Sequence, residues 1–486
     1  MKIDLGINQK QLEANAKHFK EKGITLPTFA MMKNPDLVPS QIKDGLKNVG
    51  LWDLNPLNLY RISWKNEQKD SGGLYGDVNH IALPSELTGC KATIIAVSGR
   101  WFPTGAHKVG ATFGCLAPRL VTGQYGIQTK AVWPSTGNYC RGGAFVSNLL
   151  GLDSIAILPE EMSKERFEWL KEVAGETIAT PGCESNVKEI FDKCWELRNS
   201  GEDLQIFNQF DELGNPTWHY NVTGSAIEEL IEQQYNDKNF AGYVSSSGSG
   251  GTLAAGYYLK TQYPRSKVVV AEALQCPTIL NNGFGGHRIE GIGDKHIPWV
   301  HNCKDTDFAV AVDDEKAVRL IRLFNEKKGR ELLAKKYGVS QELVDQLHLL
   351  GISGIGNVLA AIKFAKHNEL TDNDVVVTIA TDSMQLYGSR LEELTAERGE
   401  YSEADAEKDI EMLHSTTTDY MKELGYNDRK AVHNLKYFTW IEQQAKDVNE
   451  LNEQWYDHDN YWFKTFNQVD KIDEMILEFN DIVKHS

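Results

Sequence analysis

The sequence predicts an α/β protein with parallel sheets, extended by helical segments at both ends. Three observations predict it. From about residue 90 to residue 380, apolar β-rich runs alternate with stretches of helical periodicity, the order expected when helices cross between parallel strands. The run Ala241-Gly242-Tyr243-Val244-Ser245-Ser246-Ser247 passes directly into Gly248-Ser249-Gly250-Gly251-Thr252 and then an apolar segment from Leu253 to Leu259, a strand-to-helix junction built on glycine. Beyond about Gly399 the alternation stops, and a charged, aromatic-rich helical sequence takes over.

In chain order, residues 8 to 22 read as a polar amphipathic helix, and Pro27, Pro35 and Pro39 punctuate the segment after it. Strands are expected at Ala92-Val97, Ala131-Trp133, Ser154-Leu158, Thr177-Ala179, Gly242-Ser245, Lys267-Ala271, Phe308-Val312 and Asp374-Ile379. Helices are expected between them, at Lys164-Val173, Cys183-Asn199, Gly224-Tyr235, Asp314-Lys327 and Gly356-Lys366. The change of character after Gly399 suggests a separate appended unit. Its aromatic residues, among them Tyr437, Trp440, Trp455, Trp462 and Phe466, are expected to pack as a stripe on the core or on a twin subunit, with a lid over the site as the other reading.

At 486 residues, 41% hydrophobic and 24% charged, the chain has the make-up of a soluble globular protein of two or three domains. A net charge of −17 argues against a nucleic-acid or anionic-membrane partner. The seven cysteines are odd in number and scattered, and no CxxC or His-x-x-x-His pairing occurs, so neither a disulfide framework nor a metal site is expected. The start, Met1-Lys2-Ile3-Asp4-Leu5, lacks the pattern of a signal peptide, and no run is long and apolar enough for a membrane span, so a cytoplasmic setting is expected.

The residues with chemistry in them begin at Phe102-Pro103-Thr104-Gly105-Ala106-His107-Lys108-Val109-Gly110. Lys108 comes just after a Pro-Thr-Gly turn, and the glycines at 248 to 251 let backbone N–H groups converge on an anion at a helix N-terminus. No Gly-Lys-Ser/Thr closes that junction, so it is not a P-loop, and its spacing lacks the third glycine of a dinucleotide fingerprint. A lysine with a separate phosphate cup is what an enzyme needs to hold pyridoxal phosphate as a Schiff base.

Further motifs stand in order along the chain: Asn55-Pro56-Leu57, Ser135-Thr136-Gly137-Asn138, the run Pro159-Glu160-Glu161-Met162-Ser163-Lys164-Glu165-Arg166, and Asn215-Pro216-Thr217-Trp218-His219-Tyr220 ending at Thr223-Gly224. Glu290-Gly291-Ile292-Gly293 with Ile297-Pro298, Gly351-Ile352-Ser353-Gly354 and Asp382-Ser383 complete the set. Over about residues 55 to 395 this order resembles the fold-type II pyridoxal-phosphate enzymes, in particular the cysteine synthase and cystathionine β-synthase group. The resemblance implies two three-layer α/β domains clamping pyridoxal 5'-phosphate within residues 55–399, the smaller at roughly 110–215 inserted in the larger, with helical extensions at 1–54 and 400–486. It implies β-elimination or β-replacement on a small β-substituted amino acid through an aminoacrylate, with a thiol or other nucleophile as second substrate, and a homodimer. A serine/threonine dehydratase or racemase on the same fold, or an inactive cofactor-binding partner subunit, are the alternatives.

By the same resemblance Lys108 is the Schiff-base lysine and general base, and Gly248, Ser249, Gly250, Gly251 and Thr252 are the phosphate cup. Asn138 is assigned to the cofactor's ring oxygen and Ser383, rather than Asp382, to the pyridine nitrogen. Ser135, Thr136, Gly137 and Tyr139 form the substrate loop. His107 resembles the histidine of the tryptophan synthase β-subunit segment His-Thr-Gly-Ala-His-Lys, and is read either as a phosphate contact or as an interior histidine. The chain departs from the group where Tyr139, Cys140 and Arg141 replace small residues; a tyrosine and an arginine there either narrow the pocket or meet a second carboxylate. An insertion spans Gly329 to Leu347.

Overall fold

The computed structural model describes residues 3–183 and 185–485. Met1, Lys2 and Ser486, within the expected extensions, and Glu184, within the helix expected at 183–199, lie outside the described residues. Among the described residues eleven strands form two sheets: β1 (His80–Leu83), β2 (Thr93–Ser98), β3 (Lys130–Pro134), β4 (Ser154–Pro159), β5 (Glu176–Thr180), β6 (Leu204–Ile206), β7 (Asn239–Ser246), β8 (Lys267–Ala273), β9 (Phe308–Val312), β10 (Asp374–Ala380) and β11 (Met421–Glu423). The larger sheet runs β1-β2-β10-β7-β8-β9-β11, and the smaller β5-β4-β3-β6. The smaller sheet is parallel throughout. In the larger, the interior pairs are parallel and the two edge strands, β1 and β11, run antiparallel to their neighbours.

Alternation along β10 shows why this sheet is buried on both faces. Val375, Val377 and Ile379 enter one core with the small sheet and the chain termini, while Val376 and Ala380 enter the other with the helix Ile352–His367. The chain leaves β2 for the smaller sheet and returns at β7, so the C-terminal ends of β2, β3, β7 and β10 all feed loops toward one region. Open α/β sheets bind ligands at such carboxyl ends.

The helix Lys108–Thr122 starts at this junction. Gly110 lets it approach Trp218, since a Cβ there would sit 2.2 Å from the indole. The helix Lys327–Lys336 leads into the insertion and Gln341–Gln346 lies within it, and their leucines join the second core.

The region after Gly399 is not packed as a separate unit, contrary to the sequence expectation. Ile472, Ile476 and Phe479 of the terminal helix Val469–His485 share a core with Leu12, Ala16 and Phe19 of the first helix, Gln9–Lys22. Phe466 stacks on Tyr220 of the catalytic region at 4.5 Å. Trp440, Trp455, Trp462 and Phe466 are therefore interior packing, whereas Tyr437 stays exposed.

Candidate active site

Lys108 stands at the first turn of its helix, brought there by consecutive left-handed residues, Thr104 (φ 70) and Gly105 (φ 68). A positive φ at a threonine is uncommon and costs backbone energy, which the surrounding packing must hold. From this turn Lys108 Nζ donates to Ser249 Oγ at 3.1 Å. The lysine and the glycine-rich junction, separated by well over a hundred residues, thus meet directly.

The junction is shaped as an anion cup. It links β7 to the helix Leu253–Gln262, and Gly250 turns it at φ +76, a conformation open to glycine. Among the described residues, the N–H groups of Gly248, Ser249, Gly250 and Thr252 donate to no protein acceptor, and that of Gly251 reaches only Ser249 Oγ at 3.4 Å. Four unanswered donors at a helix N-terminus favour a phosphate. Gly251 also has no room for a side chain, because a Cβ would lie 2.2 Å from Asn215 Oδ1. Asn215 itself donates to Ser249 Oγ at 3.1 Å and leaves its own buried Oδ1 without a donor.

Opposite the cup, β10 ends in Asp382 and Ser383. The Ser383 hydroxyl is buried and, among the described residues, bonded to nothing, as a group awaiting a ligand acceptor would be. Asp382, beside it, turns its carboxylate to Asn138 and Tyr387. Its carboxylate accepts from Asn138 Nδ2 at 2.6 Å and from the Tyr387 hydroxyl at 2.7 Å, with Arg166 Nη2 3.7 Å away. Burial pushes the Asp382 carboxyl up, and Arg166 beside it opposes that. Arg166 is tied in turn to Glu290, and Arg390 donates to the other oxygen of Glu290 at 2.6 Å.

The substrate loop 135–138 comes directly after β3. Ser135 Oγ accepts from the Gly137 N–H at 2.9 Å and from Gln209 Nε2 at 3.5 Å. Thr136 is buried beside it. Gly137, at φ +147, is where the Arg166 guanidinium packs, 3.0 Å from the place of a Cβ. Asn138 opens the helix Asn138–Leu149 and keeps a buried Oδ1 without a donor.

Two expected members are placed elsewhere. Tyr139 turns into the first core, its hydroxyl directed at Cys115 Sγ, 3.5 Å away, and its ring near Trp133. His107 is fully buried between Trp64 and His219, with Nε2 3.3 Å from Thr381 Oγ1, so the interior-histidine reading describes its surroundings. Burial, then the neighbouring Lys108, holds its pKa well below the usual histidine range. The sequence reading gave no role to Gln209, Asn215, Arg166, Glu290 or Tyr387. Arg166, Asn215 and Glu290 stand inside motifs that carried the resemblance, so a signal existed; Gln209 and Tyr387 had none.

The groups present fit pyridoxal phosphate: a lysine amine, an anion cup, and unanswered polar atoms on Asn138, Asn215 and Ser383. The fold and this constellation define a fold-type II pyridoxal-phosphate enzyme. The model of the family "pyridoxal-phosphate dependent enzyme" matches residues 99–334, and the chain belongs to that family. It is 32% identical over 259 residues to a cysteine synthase of Staphylococcus aureus, covering 53% of this chain and 74% of that protein. It is 27% identical over 377 residues to a cystathionine beta-synthase of Saccharomyces cerevisiae, covering 75% of this chain and 70% of that one. Among solved structures it is similar to the O-acetylserine dependent cystathionine beta-synthase of Helicobacter pylori, with TM-score 0.53 and 25% identity over 64% of this chain and 94% of that one.

Proposed function

We propose that this enzyme catalyses β-elimination or β-replacement on a small β-substituted amino acid, with a thiol or sulfide as second substrate. The observation that carries the reading is the meeting of Lys108 Nζ with Ser249 inside a cup of four unanswered N–H groups, across from the unanswered Ser383 hydroxyl. The relatedness to a cysteine synthase and a cystathionine beta-synthase supports the choice of reaction.

Pyridoxal phosphate, when bound, supplies an electron sink for the carbanion left at Cα. The protein's own groups supply the rest. Gly248, Ser249, Gly250, Gly251 and Thr252 would hold the phosphate, and Asn138 and Ser383 would orient the ring. Ser383 presents a hydroxyl where a carboxylate would keep the ring nitrogen protonated, a choice that suits β-substituent loss over transamination. Lys108 would hold the cofactor and would take the Cα proton at Nζ, and the Ser249 hydroxyl keeps that nitrogen at the cup. Ser135, Thr136 and the free N–H groups opening the Asn138 helix receive the substrate carboxylate, and Gln209 braces Ser135. Tyr139, with its side chain in the core, is left to shape that helix.

The test is turnover of O-acetyl-L-serine and L-cysteine by the holoenzyme, with and without sulfide, beside Lys108→Ala. The reading expects β-substituted product with sulfide, or pyruvate and ammonia without it, and a loss in kcat of ~10²- to 10⁴-fold in the variant. Undiminished turnover in Lys108→Ala would reject it. The reading also carries the expectation of a homodimer, which light scattering after size exclusion measures.

A further inference from the structure

Arg141 lies three residues beyond Asn138 on the same helix and is 1% exposed. Among the described residues, none of its three nitrogens donates to a protein acceptor, and Nε and Nη1 are sealed from solvent. The other buried arginines among the described residues are all answered. Arg61 donates to the carbonyls of Val49, Leu46 and Gly73. Arg166 has Glu290 and Tyr387, Arg322 has Glu326 and the Gly399 carbonyl, and Arg100 has Asp70. Arg141 has aromatic faces instead, Trp169 at 4.7 Å and Trp52 at 5.7 Å from its guanidinium carbon. Such faces offset part of the charge but accept no hydrogen bonds in the guanidinium plane.

Among the described residues no acid is bonded to it. The carboxylate in electrostatic reach is Asp382, already committed to Asn138 and Tyr387, and Arg166 in the same cluster repels. Burial, then Arg166, lowers the Arg141 pKa only to about 10, so the group is cationic at neutral pH. An unpaired buried cation is costly to keep. The helix that carries Arg141 packs on the Lys108 turn, since a Cβ on the next residue, Gly142, would sit 2.9 Å from the Val109 nitrogen and 3.1 Å from the Lys108 carbonyl carbon, and the Arg141 guanidinium is within electrostatic reach of Asp382, the neighbour of Ser383. Trp52 shares the position: its ring lies 2.9 Å from the place of a Cβ on Gly105, in the turn before Lys108, and among the described residues its buried Nε1–H has no acceptor.

We propose that Arg141, with the Trp52 indole N–H beside it, receives an anionic group carried on the β-substituent of the substrate and selects acidic over neutral β-substituents. This rests on the β-elimination or β-replacement reading above and names its substrate class. The shared chemistry is an oxyanion, met equally by a phosphate or a carboxylate.

The experiment compares holoenzyme kcat/KM for O-phospho-L-serine, O-succinyl-L-serine and the neutral O-acetyl-L-serine, in wild type, Arg141→Met, Arg141→Lys and Trp52→Phe. A charged hydrogen bond lost from a buried site predicts a fall of ~10- to 100-fold in the acidic-to-neutral ratio for Arg141→Met. Arg141→Lys keeps part of the ratio, and Trp52→Phe, which retains a ring, lowers it a few-fold. The phosphate and succinyl arms tell which oxyanion is preferred. An unchanged ratio in Arg141→Met, or equal losses on all three substrates, overturns the proposal; equal losses assign Arg141 to the common α-carboxylate or to folding. A separate readout is tryptophan fluorescence of the holoenzyme, its phosphate cup filled, titrated with inorganic phosphate. A saturable change in wild type that is absent in Arg141→Met supports the subsite, and no change in wild type overturns it. If no serine derivative is turned over, the reaction reading fails, and the titration still decides the role of Arg141.

Discussion

Asp382 and Ser383 are adjacent residues with opposite effects on the protein without its cofactor. Ser383 buries a hydroxyl with no partner, so Ser383→Ala is expected to leave the apoprotein as stable as wild type or slightly more so, while reducing the rise in Tm on adding pyridoxal phosphate. Equal cofactor-induced shifts in both proteins would remove Ser383 from the site. Asp382 is a positioning residue whose carboxylate fixes the Asn138 amide. Asp382→Asn keeps the shape but takes the charge from beside Arg166 and places an amide against another amide. The expected result is a weaker cofactor Kd, by ~10-fold for one charged hydrogen bond, with a smaller change in substrate KM. Fluorescence titration of the apoprotein measures the first and steady-state kinetics the second. Lys108, Asn138, the cup and Ser383 could be proposed from the sequence because their residue types stand in fixed local motifs, and the fold brings Lys108 to the cup. Asp382 was not, because the direction of a side chain at a strand end depends on Asn138, Tyr387 and Arg166, which come from other segments of the chain.

Among the elements, long apolar strands were readable and short ones were not. β2, β7, β8 and β10 are continuous apolar runs, as burial on both faces requires. β6 (Leu-Gln-Ile) and β11 (Met-Lys-Glu) have three residues each, too few for a period, and β11 is a polar edge strand held by its pairing to β9. The helix expected at Gly356–Lys366 begins four residues earlier, at Ile352. Gly354 is a contact, with a Cβ only 3.3 Å from Ala380. One strand-to-helix contact sets a pH dependence. Glu272 of β8 accepts the N–H groups of Ile279 at 2.9 Å and Leu280 at 2.8 Å, at the short helix Thr278–Asn281. Burial outweighs these bonds and raises its carboxyl from 4.5 to about 8. The folded state then holds a proton that the unfolded chain has released, so the contribution of Glu272 is full below pH 4.5 and is lost as pH rises toward about 8. Glu272→Gln is expected to flatten this part of the profile, read as urea midpoints at pH 5 and pH 8. An unaltered slope would place the titration elsewhere.

At the scale of the whole molecule, the C-terminal region braces the segment that covers the glycine-rich cup. The segment 290–301 roofs the cup. The Gly293 N–H donates to the Ser247 carbonyl at 2.8 Å, a Cβ on Gly248 would meet the Gly291 carbonyl at 2.8 Å, and one on Gly250 would meet His301 Cβ at 3.3 Å. That roof is held from outside by residues beyond 399. Trp440 donates its indole N–H to the Ile297 carbonyl at 2.8 Å, and Lys436 Nζ donates to the carbonyls of Trp299 at 2.9 Å and His301 at 2.7 Å. Among the described residues Lys436 is buried with no carboxylate bonded to it, and burial lowers its pKa to about 8; its bonding to carbonyls rather than to an acid makes the roof its reason for being there. The sequence showed an aromatic-rich tail but not this coupling, because the partners of the stripe, Trp299 and Tyr220, lie in the catalytic region, far away in sequence. Trp440→Ala removes both the indole packing and the bond to Ile297, which predicts a loss of ~3–5 kcal/mol of stability. It also predicts faster cofactor release in buffer without denaturant, tracked as loss of bound-cofactor absorbance on dilution. Trp440→Phe restores packing without the N–H, and it should recover more of the stability than of the cofactor retention. If both variants lose stability but release the cofactor at the wild-type rate, the C-terminal region is ordinary core, and the roof is held by Lys436 and the cup alone.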